Sequence, residues 1–369
     1  MSRFARERRV FFFEEPLFKD SEPYLAVEIC AETGVNVVVP CLKSGTPPEQ
    51  VEAQLKVLLD RLIAEHNISS QHLLWYYTPM ALGFSSHLQP AALIYDCMDE
   101  LSAFQGAPSE LRQKEKDLFR RVDVVFTGGH TLYEAKKRQH ANIYAFPSSV
   151  DVKHFRKARS ISVDPPDQAS IPHSRLGYIG VIDERMDIEL LREAARLRPH
   201  WHFVMVGPIA KIDPDSLPKT DNIHYLGGKT YAELPSYLAG WDVALLPFAR
   251  NASTRFISPT KTPEYLSAGR PVVSTSIRDV IQPYGEAGLV EIADSPDAFV
   301  QAAEKLMQRG AGKKEWLAHV DEYLETMSWD RTWEAMKVRI NAAIARRSSV
   351  GGMEPDVINS TEKGSEVYV

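Results

Sequence analysis

Lys261 and Glu264 stand three residues apart at the start of a predicted helix, within the stretch Ser258–Ser276, SPTKTPEYLSAGRPVVSTS. Residues at that spacing share one helix face. A helix N-terminus with a lysine beside it suits the charge of a diphosphate. A carboxylate on the same face can accept hydrogen bonds from a ribose diol. At an exposed position the same two residues would form an ordinary surface ion pair, worth little. Ser258 or Thr262 can cap the helix, with Pro259 or Pro263 at its first position. Gly269 supplies a left-handed stop, and Pro271 opens the next strand.

Other candidates also follow predicted strands. Gly180 ends GYIG, and Arg185 comes soon after it. A guanidinium matches phosphate oxygens in a bidentate way. Gly207 ends the next strand. Gly227 and Gly228 end the one after, where bare backbone can approach a nucleobase. Asn251 belongs to a long loop between Pro247 and the Ser258 segment, and a loop of that length hints at function. Thr260 lies at the start of the Ser258 segment itself. In the first half, Asp96 and Asp99 follow the apolar run Leu93–Tyr95. Either can position a sugar hydroxyl or take its proton, and either can cap the next helix. Asp99 is the better candidate of the two, because Asp96 follows the strand immediately. Glu14, Glu15, Tyr77 and His130 also follow strands and are expected on the acceptor side. No metal-ligand spacing occurs.

Bulk properties limit the reading. The chain has 369 residues, enough for two domains with a core each. The net charge of −6 argues against general nucleic-acid binding. No apolar run approaches a membrane span. Cys30, Cys41 and Cys97 form no CxxC, which fits a reduced, cytoplasmic setting.

Short apolar runs alternate with helical spacing, the signature of an α/β protein with parallel strands. Strands are expected at Val10–Phe13, Val35–Val39, Leu73–Tyr77, Leu93–Tyr95, Val122–Phe126 and Ile143–Phe146. A second series comprises Leu176–Ile179, His202–Val206, Ile223–Leu226, Val243–Pro247, Pro271–Thr275 and Leu289–Ile292. Leu25–Cys30 alternates as a strand would, and a helix there is nearly as consistent. The expected organisation is a first domain at 1–156, a polar Pro- and Ser-rich linker at 157–173 and a second domain at 174–312. A helical region at 313–347 and a disordered tail at 348–369 complete it.

These segments resemble GT-B fold glycosyltransferases of the large retaining family four. Lys261, Glu264, Gly269 and Pro271-Val272-Val273 follow that family's K-x-x-E-x-x-x-x-G-x-PVV pattern. Pro147-Ser148-Ser149-Val150-Asp151 with Phe155 resembles its segment at the end of the first domain. Asn222–Phe248 matches its strand-helix-strand pattern. The resemblance covers about residues 8–345 and is strongest over 177–306. Departures are equally specific. Phe256 stands where the family has a first Glu, Val181 takes the place of an Arg, and Arg185 lies near the place of a Lys. Phe13-Glu14-Glu15-Pro16 replaces a Gly-rich loop, and Asp96-Cys97-Met98-Asp99 replaces a His region.

The resemblance implies two Rossmann-like domains facing across a cleft, with the C-terminal helix packing back on the first. It implies transfer, with retention, of a sugar from a nucleotide diphosphate donor to a glycan or lipid-linked acceptor, as in bacterial surface-polysaccharide assembly. A UDP-sugar is the favoured donor, and no cofactor or metal is required. The expected catalytic group is Asp96, Asp99, Arg185 and Lys261. Glu264, Gly180, Gly207, Gly227, Gly228, Thr260 and Asn251 are expected around the donor. Peripheral association with the inner membrane face belongs to the same expectation. A nucleotide-sugar epimerase and a non-catalytic nucleotide-sugar-binding subunit are the alternatives on this scaffold.

Overall fold

The computed structural model describes residues 1–309, 312–351 and 367–368. The first half holds the strands β1 (Val10–Phe13), β2 (Leu17–Lys19), β3 (Tyr24–Ile29), β4 (Asn36–Lys43), β5 (Leu73–Tyr76), β6 (Ala92–Cys97), β7 (Val124–Thr127) and β8 (Ile143–Ala145). The second half holds β9 (Arg175–Ile179), β10 (His202–Val206), β11 (Ile223–Gly227), β12 (Val243–Leu246), β13 (Val272–Ser274) and β14 (Val290–Ile292). A last short strand, β15, is Val367–Tyr368. Their Val, Leu, Ile and Phe content suits strands covered on both faces.

The strands form two sheets, so one continuous sheet through both halves is excluded. The first runs β2-β4-β1-β15-β5-β6-β7-β8, with β3 antiparallel on β4 and every other pair parallel. The second runs β11-β10-β9-β12-β13-β14, all parallel. That is the order of a Rossmann sheet. Its direction of growth reverses between β9 and β12, and ligands bind beyond the strand ends at such a point. The matching reversal in the first sheet lies between β1 and β5, where β15 inserts with Val367 opposite Val10 and Leu73.

Two cores flank each sheet. In the second domain, helices Ile188–Leu197 and Pro296–Met307 cover one face, through Leu190, Leu191, Phe299 and Val300. Helices Leu234–Ala239, Lys261–Ser267 and Gly312–Leu324 cover the other, around Trp241, Tyr265, Trp316 and Val320. In the first domain, helix Pro48–Glu65 packs Leu59 and Leu62 under the sheet. The far face is closed by Ile340, Ala343 and Ile344.

Three expectations are corrected. Residues 157–173 are not a free linker. Ala158 and Ile171 are buried in the second-domain core, Arg175 pairs with Asp164 at 2.7 Å, and the Trp241 indole donates to Gln168 at 2.9 Å. The chain crosses earlier, between Phe146, which packs on the first domain, and Val150, which packs in the second. The helical region 313–347 is two helices, Gly312–Leu324 on the second domain and Trp329–Gly351 on the first. Ser328 separates them by accepting the Arg331 N–H through its hydroxyl, an N-cap arrangement. The tail expected to be disordered is helical through Gly351 and contributes β15, while the rest of it lies outside the described residues.

Candidate active site

Three of the predicted glycines meet at the carboxyl edge of the second sheet. The Gly180 N–H donates to the Val206 carbonyl at 2.9 Å, and the Gly207 N–H donates to the Gly227 carbonyl at 2.9 Å. Gly180 and Gly207 both have φ of +148°, a region that side chains rarely tolerate. A Cβ on Gly207 would lie 1.9 Å from the Gly180 oxygen, and one on Gly180 would lie 2.2 Å from Lys261 Cε. The lysine therefore lies directly against bare backbone at the point where β9 ends. Gly227 and Gly228 are exposed next to it.

Helix Lys261–Ser267 is held by the residue after Glu264. The Tyr265 hydroxyl is fully buried and accepts the Ile179 N–H at 2.7 Å, which ties the helix to the end of β9. Thr260 occupies the N-cap position without a side-chain cap bond. Neither expected cap operates: Ser258 packs against Gly129 of the first domain, and the Thr262 hydroxyl is buried without a partner.

Lys261 and Glu264 are not a surface ion pair. Among the described residues neither side chain has a hydrogen-bond or ion-pair partner, although each feels the other's charge. Burial pulls the Lys261 pKa down, and Glu264 partly restores it. Burial pushes the Glu264 carboxyl up to about 7, against the pull of Lys261. An unpaired cation and an unpaired carboxylate, both desolvated, are poised for an outside ligand.

Arg185 lies on the same side, since its charge lowers the Lys261 pKa. Its guanidinium is already engaged by Asp183, with Nη2 donating to Oδ2 at 2.6 Å. It also sits 5.8 Å from the centre of the Phe104 ring in the first domain. Asp99 feels Arg185 across the cleft. Burial raises the Asp99 pKa and Arg185 opposes that rise. So Asp99, Arg185, Lys261 and Glu264 form a chain of charges within electrostatic reach of one another that runs from the first domain to the second.

Asp96 departs from this group. It lies beside Trp75 under helix Trp329–Gly351, buried, with Oδ1 unpartnered. Burial pushes its pKa up to about 7. Period-two alternation along β6 explains its direction. Ile94 packs on the same far face, while Tyr95 and Cys97 point into the opposite core.

Asn251 builds its own loop, accepting the N–H groups of Ser253 and Thr254 at 3.0 and 3.1 Å. It lines a second interdomain cavity of 510 Å³ with Arg250, Arg255, Phe256 and Arg278. Glu14, Glu15 and Tyr77 converge on a largely apolar cavity of 620 Å³ at the first-sheet reversal point, walled by Phe13, Leu17 and Phe84. The His130 side chain is exposed and lines none of these cavities. Its backbone matters instead. Asp279 of the second domain accepts the N–H groups of His130 and Thr131 at 2.8 and 2.9 Å, capping helix His130–Lys136 from across the cleft. A Cβ on Gly129 would meet that carboxylate at 2.2 Å, so this contact also requires glycine. Neither Asp279 nor Asp183 carried a sequence signal, because each acts through a partner that the fold brings to it.

Comparison with known proteins agrees with the geometry. Residues 173–309 match the family model for Glycosyl transferases group 1. A curated relative, the putative teichuronic acid biosynthesis glycosyltransferase TuaH of Bacillus subtilis strain 168, is 27% identical over 280 residues. That match covers 69% of this chain and 68% of TuaH. Sucrose-phosphate synthase from Thermosynechococcus elongatus superposes with a TM-score of 0.68 at 14% identity, over 94% of this chain and 91% of that one. Anabaena HepE in complex with UDP does so with a TM-score of 0.65 at 12% identity, over 90% and 100%. The chain has the GT-B architecture, with two Rossmann-like domains across a cleft. Among the described residues no group of three or more His, Cys, Asp or Glu could hold a metal ion, and no helix is long and apolar enough to cross a membrane.

Proposed function

We propose that this protein is a glycosyltransferase of polysaccharide biosynthesis, moving a sugar with retention from a nucleoside diphosphate donor to a glycan or lipid-linked acceptor. The observation that carries this reading is the unpaired Lys261 and Glu264 beside Gly180, at the reversal point of the glycosyltransferase-type domain. The solved relative HepE holds UDP, which favours a uridine donor here. Glu264 accepts the ribose hydroxyls, and Gly227 and Gly228 leave room for the base. Lys261 and the N-terminus of its helix face the diphosphate. Charge that builds on the departing diphosphate is then stabilised without a metal. Arg185 contributes once Asp183 shares it with the ligand. Asp99 positions a sugar hydroxyl from the first domain.

The acceptor enters by the first-domain crevice, with Glu14, Glu15 and Tyr77 on its walls. The apolar lining suits the lipid portion of a lipid-linked acceptor. Leu17, Phe18 and Ile29 are 51%, 52% and 70% exposed on the neighbouring edge strands, which supports peripheral contact with the inner membrane face.

Thermal-shift titration with UDP-, GDP-, ADP- and TDP-sugars tests the donor, because a ligand of the native state stabilises it. A selective shift followed by release of UDP is expected. No shift with any nucleotide sugar would refute the reading, and release of an altered nucleotide sugar without transfer would indicate an epimerase. Proton NMR of the anomeric centre reads the stereochemistry.

A further inference from the structure

A cavity of 280 Å³ lies under the last helix, at the carboxyl ends of β5, β6 and β8. It is separate from the donor crevice and shares only Trp75 and Tyr77 with the first-domain crevice. Its walls are aromatic, with Trp75, Tyr77, Phe146, Trp329 and Trp333 among them. Asp96 lies in the lining and is 5% exposed.

Three buried polar atoms on these walls have no protein partner: Asp96 Oδ1, Trp75 Nε1 and Trp333 Nε1. The Trp75 indole is near enough to favour the charged Asp96, yet the two orphan atoms do not meet in hydrogen-bonding geometry. The Met1 α-amino group is the positive charge that Asp96 feels, and no hydrogen bond joins them. Buried polar atoms left unmatched each cost free energy, so a cluster of three around one cavity calls for a ligand.

The chemistry of the set restricts that ligand. Indole N–H groups only donate, and an ionised carboxylate only accepts. An aliphatic chain would satisfy none of the three. An organic cation suits aromatic walls and a carboxylate, but it offers the two indoles nothing to bond. A pyranose ring offers both: its C–H faces lie against aromatic rings, and its hydroxyls accept from the indoles while donating to the carboxylate. Met98 on the rim is 39% exposed, and Asp99, which faces Arg185, is the next residue. The cavity therefore opens on the same turn that borders the cleft.

We infer that this cavity is a carbohydrate subsite that holds one neutral pyranose ring of the acceptor glycan, gripped by Asp96, Trp75 and Trp333. Its assignment to the acceptor rests on the glycosyltransferase reading, while the sugar binding itself does not. The full chain, labelled with ¹⁵N, is titrated with the methyl glycosides of glucose, galactose, N-acetylglucosamine and N-acetylgalactosamine. The indole Nε1–H signals of Trp75 and Trp333 are followed, assigned through Trp75→Phe and Trp333→Phe. At least one glycoside should move both signals saturably. Trp333→Phe and Asp96→Asn should each weaken that binding about three- to tenfold, with the nucleotide-induced thermal shift unchanged. Absence of any indole shift with all four glycosides in the wild-type chain would overturn the subsite. So would shifts produced by choline and not by the glycosides. A chain that binds a glycoside but no nucleotide sugar would retain the subsite and lose the donor reading.

Discussion

Replacing Glu264 by Gln should separate binding from stability in opposite directions. Burial lifts this carboxyl from 4.5 to about 7 in the folded protein. Folding therefore favours its protonated form. That contribution is complete below pH 4.5 and is lost as pH rises through about 7. A lift of this size corresponds to about 3 kcal/mol, taken at about 1.4 kcal/mol per pKa unit. Gln does not titrate, so the stability of the wild type relative to Glu264→Gln should fall by up to about 3 kcal/mol between pH 4.5 and pH 8.

In the proposed donor complex the ribose hydroxyls meet Glu264. Hydroxyl donors favour the ionised carboxylate, so affinity should follow its ionised fraction. For the nucleotide sugar giving the largest thermal shift, the wild-type Kd should rise about tenfold from pH 8 to pH 6, with a flat profile for Glu264→Gln. At pH 8 the variant should bind about 1–3 kcal/mol more weakly. Urea unfolding across the pH range reads the first quantity, and calorimetry reads the second. Parallel stability curves together with identical Kd profiles would return Glu264 to a structural role.

Lys261→Ala should weaken donor binding and turnover by at least tenfold with little loss of melting temperature, checked by calorimetry and a UDP-release assay. Gly207→Ala should cost about 2 kcal/mol or more in urea unfolding, because its Cβ would lie 1.9 Å from the Gly180 oxygen. Asp279→Asn should weaken the cap on helix His130–Lys136 by about 1 kcal/mol, seen as faster hydrogen exchange at His130 and Thr131 with donor affinity unchanged. Asp99→Asn should reduce turnover strongly with near-normal melting and donor binding; normal turnover would remove Asp99 from the mechanism.

Much of this architecture can be read from residue order. The strands that carry the cleft are apolar runs between Gly, Pro and Asp, and pattern alone locates most of them within a residue or two, although β4 runs four residues beyond the expected Val39. β2 escaped because Leu17, Phe18 and Lys19 are all exposed and leave no alternation to read. The break in the final helix escaped because apolar spacing resumes across it, although the Ser328 cap was available as a signal. Lys261 and Glu264 were legible as a motif on a helix start. Their lack of any partner was not, since it depends on which side chains the fold keeps away. In sequence Asp99 stood only slightly ahead of Asp96, on its distance from the strand. Only the layers around the sheet tell which of them faces Arg185 and which lies under the last helix. Asn251 and His130 looked like ligands because they are polar residues after strands. Asn251 spends its side-chain oxygen on its own loop, while the His130 ring is exposed and only its backbone N–H is engaged, by Asp279.

The polypeptide passes between the domains twice, once between Phe146 and Val150 and again between Leu324 and Trp329. Two covalent straps define a line, and rotation about that line is the relative motion that stretches neither of them. The cleft should thus open as a book opens on its spine, without sliding. Ser148 and Trp329 lie at or beside these straps, and both line the cavity that holds Asp96. Points near a spine travel least when the covers part. The Asp279 contact with helix His130–Lys136 has no strap to hold it and must separate for the cleft to widen, so the helix loses its cap whenever the domains open.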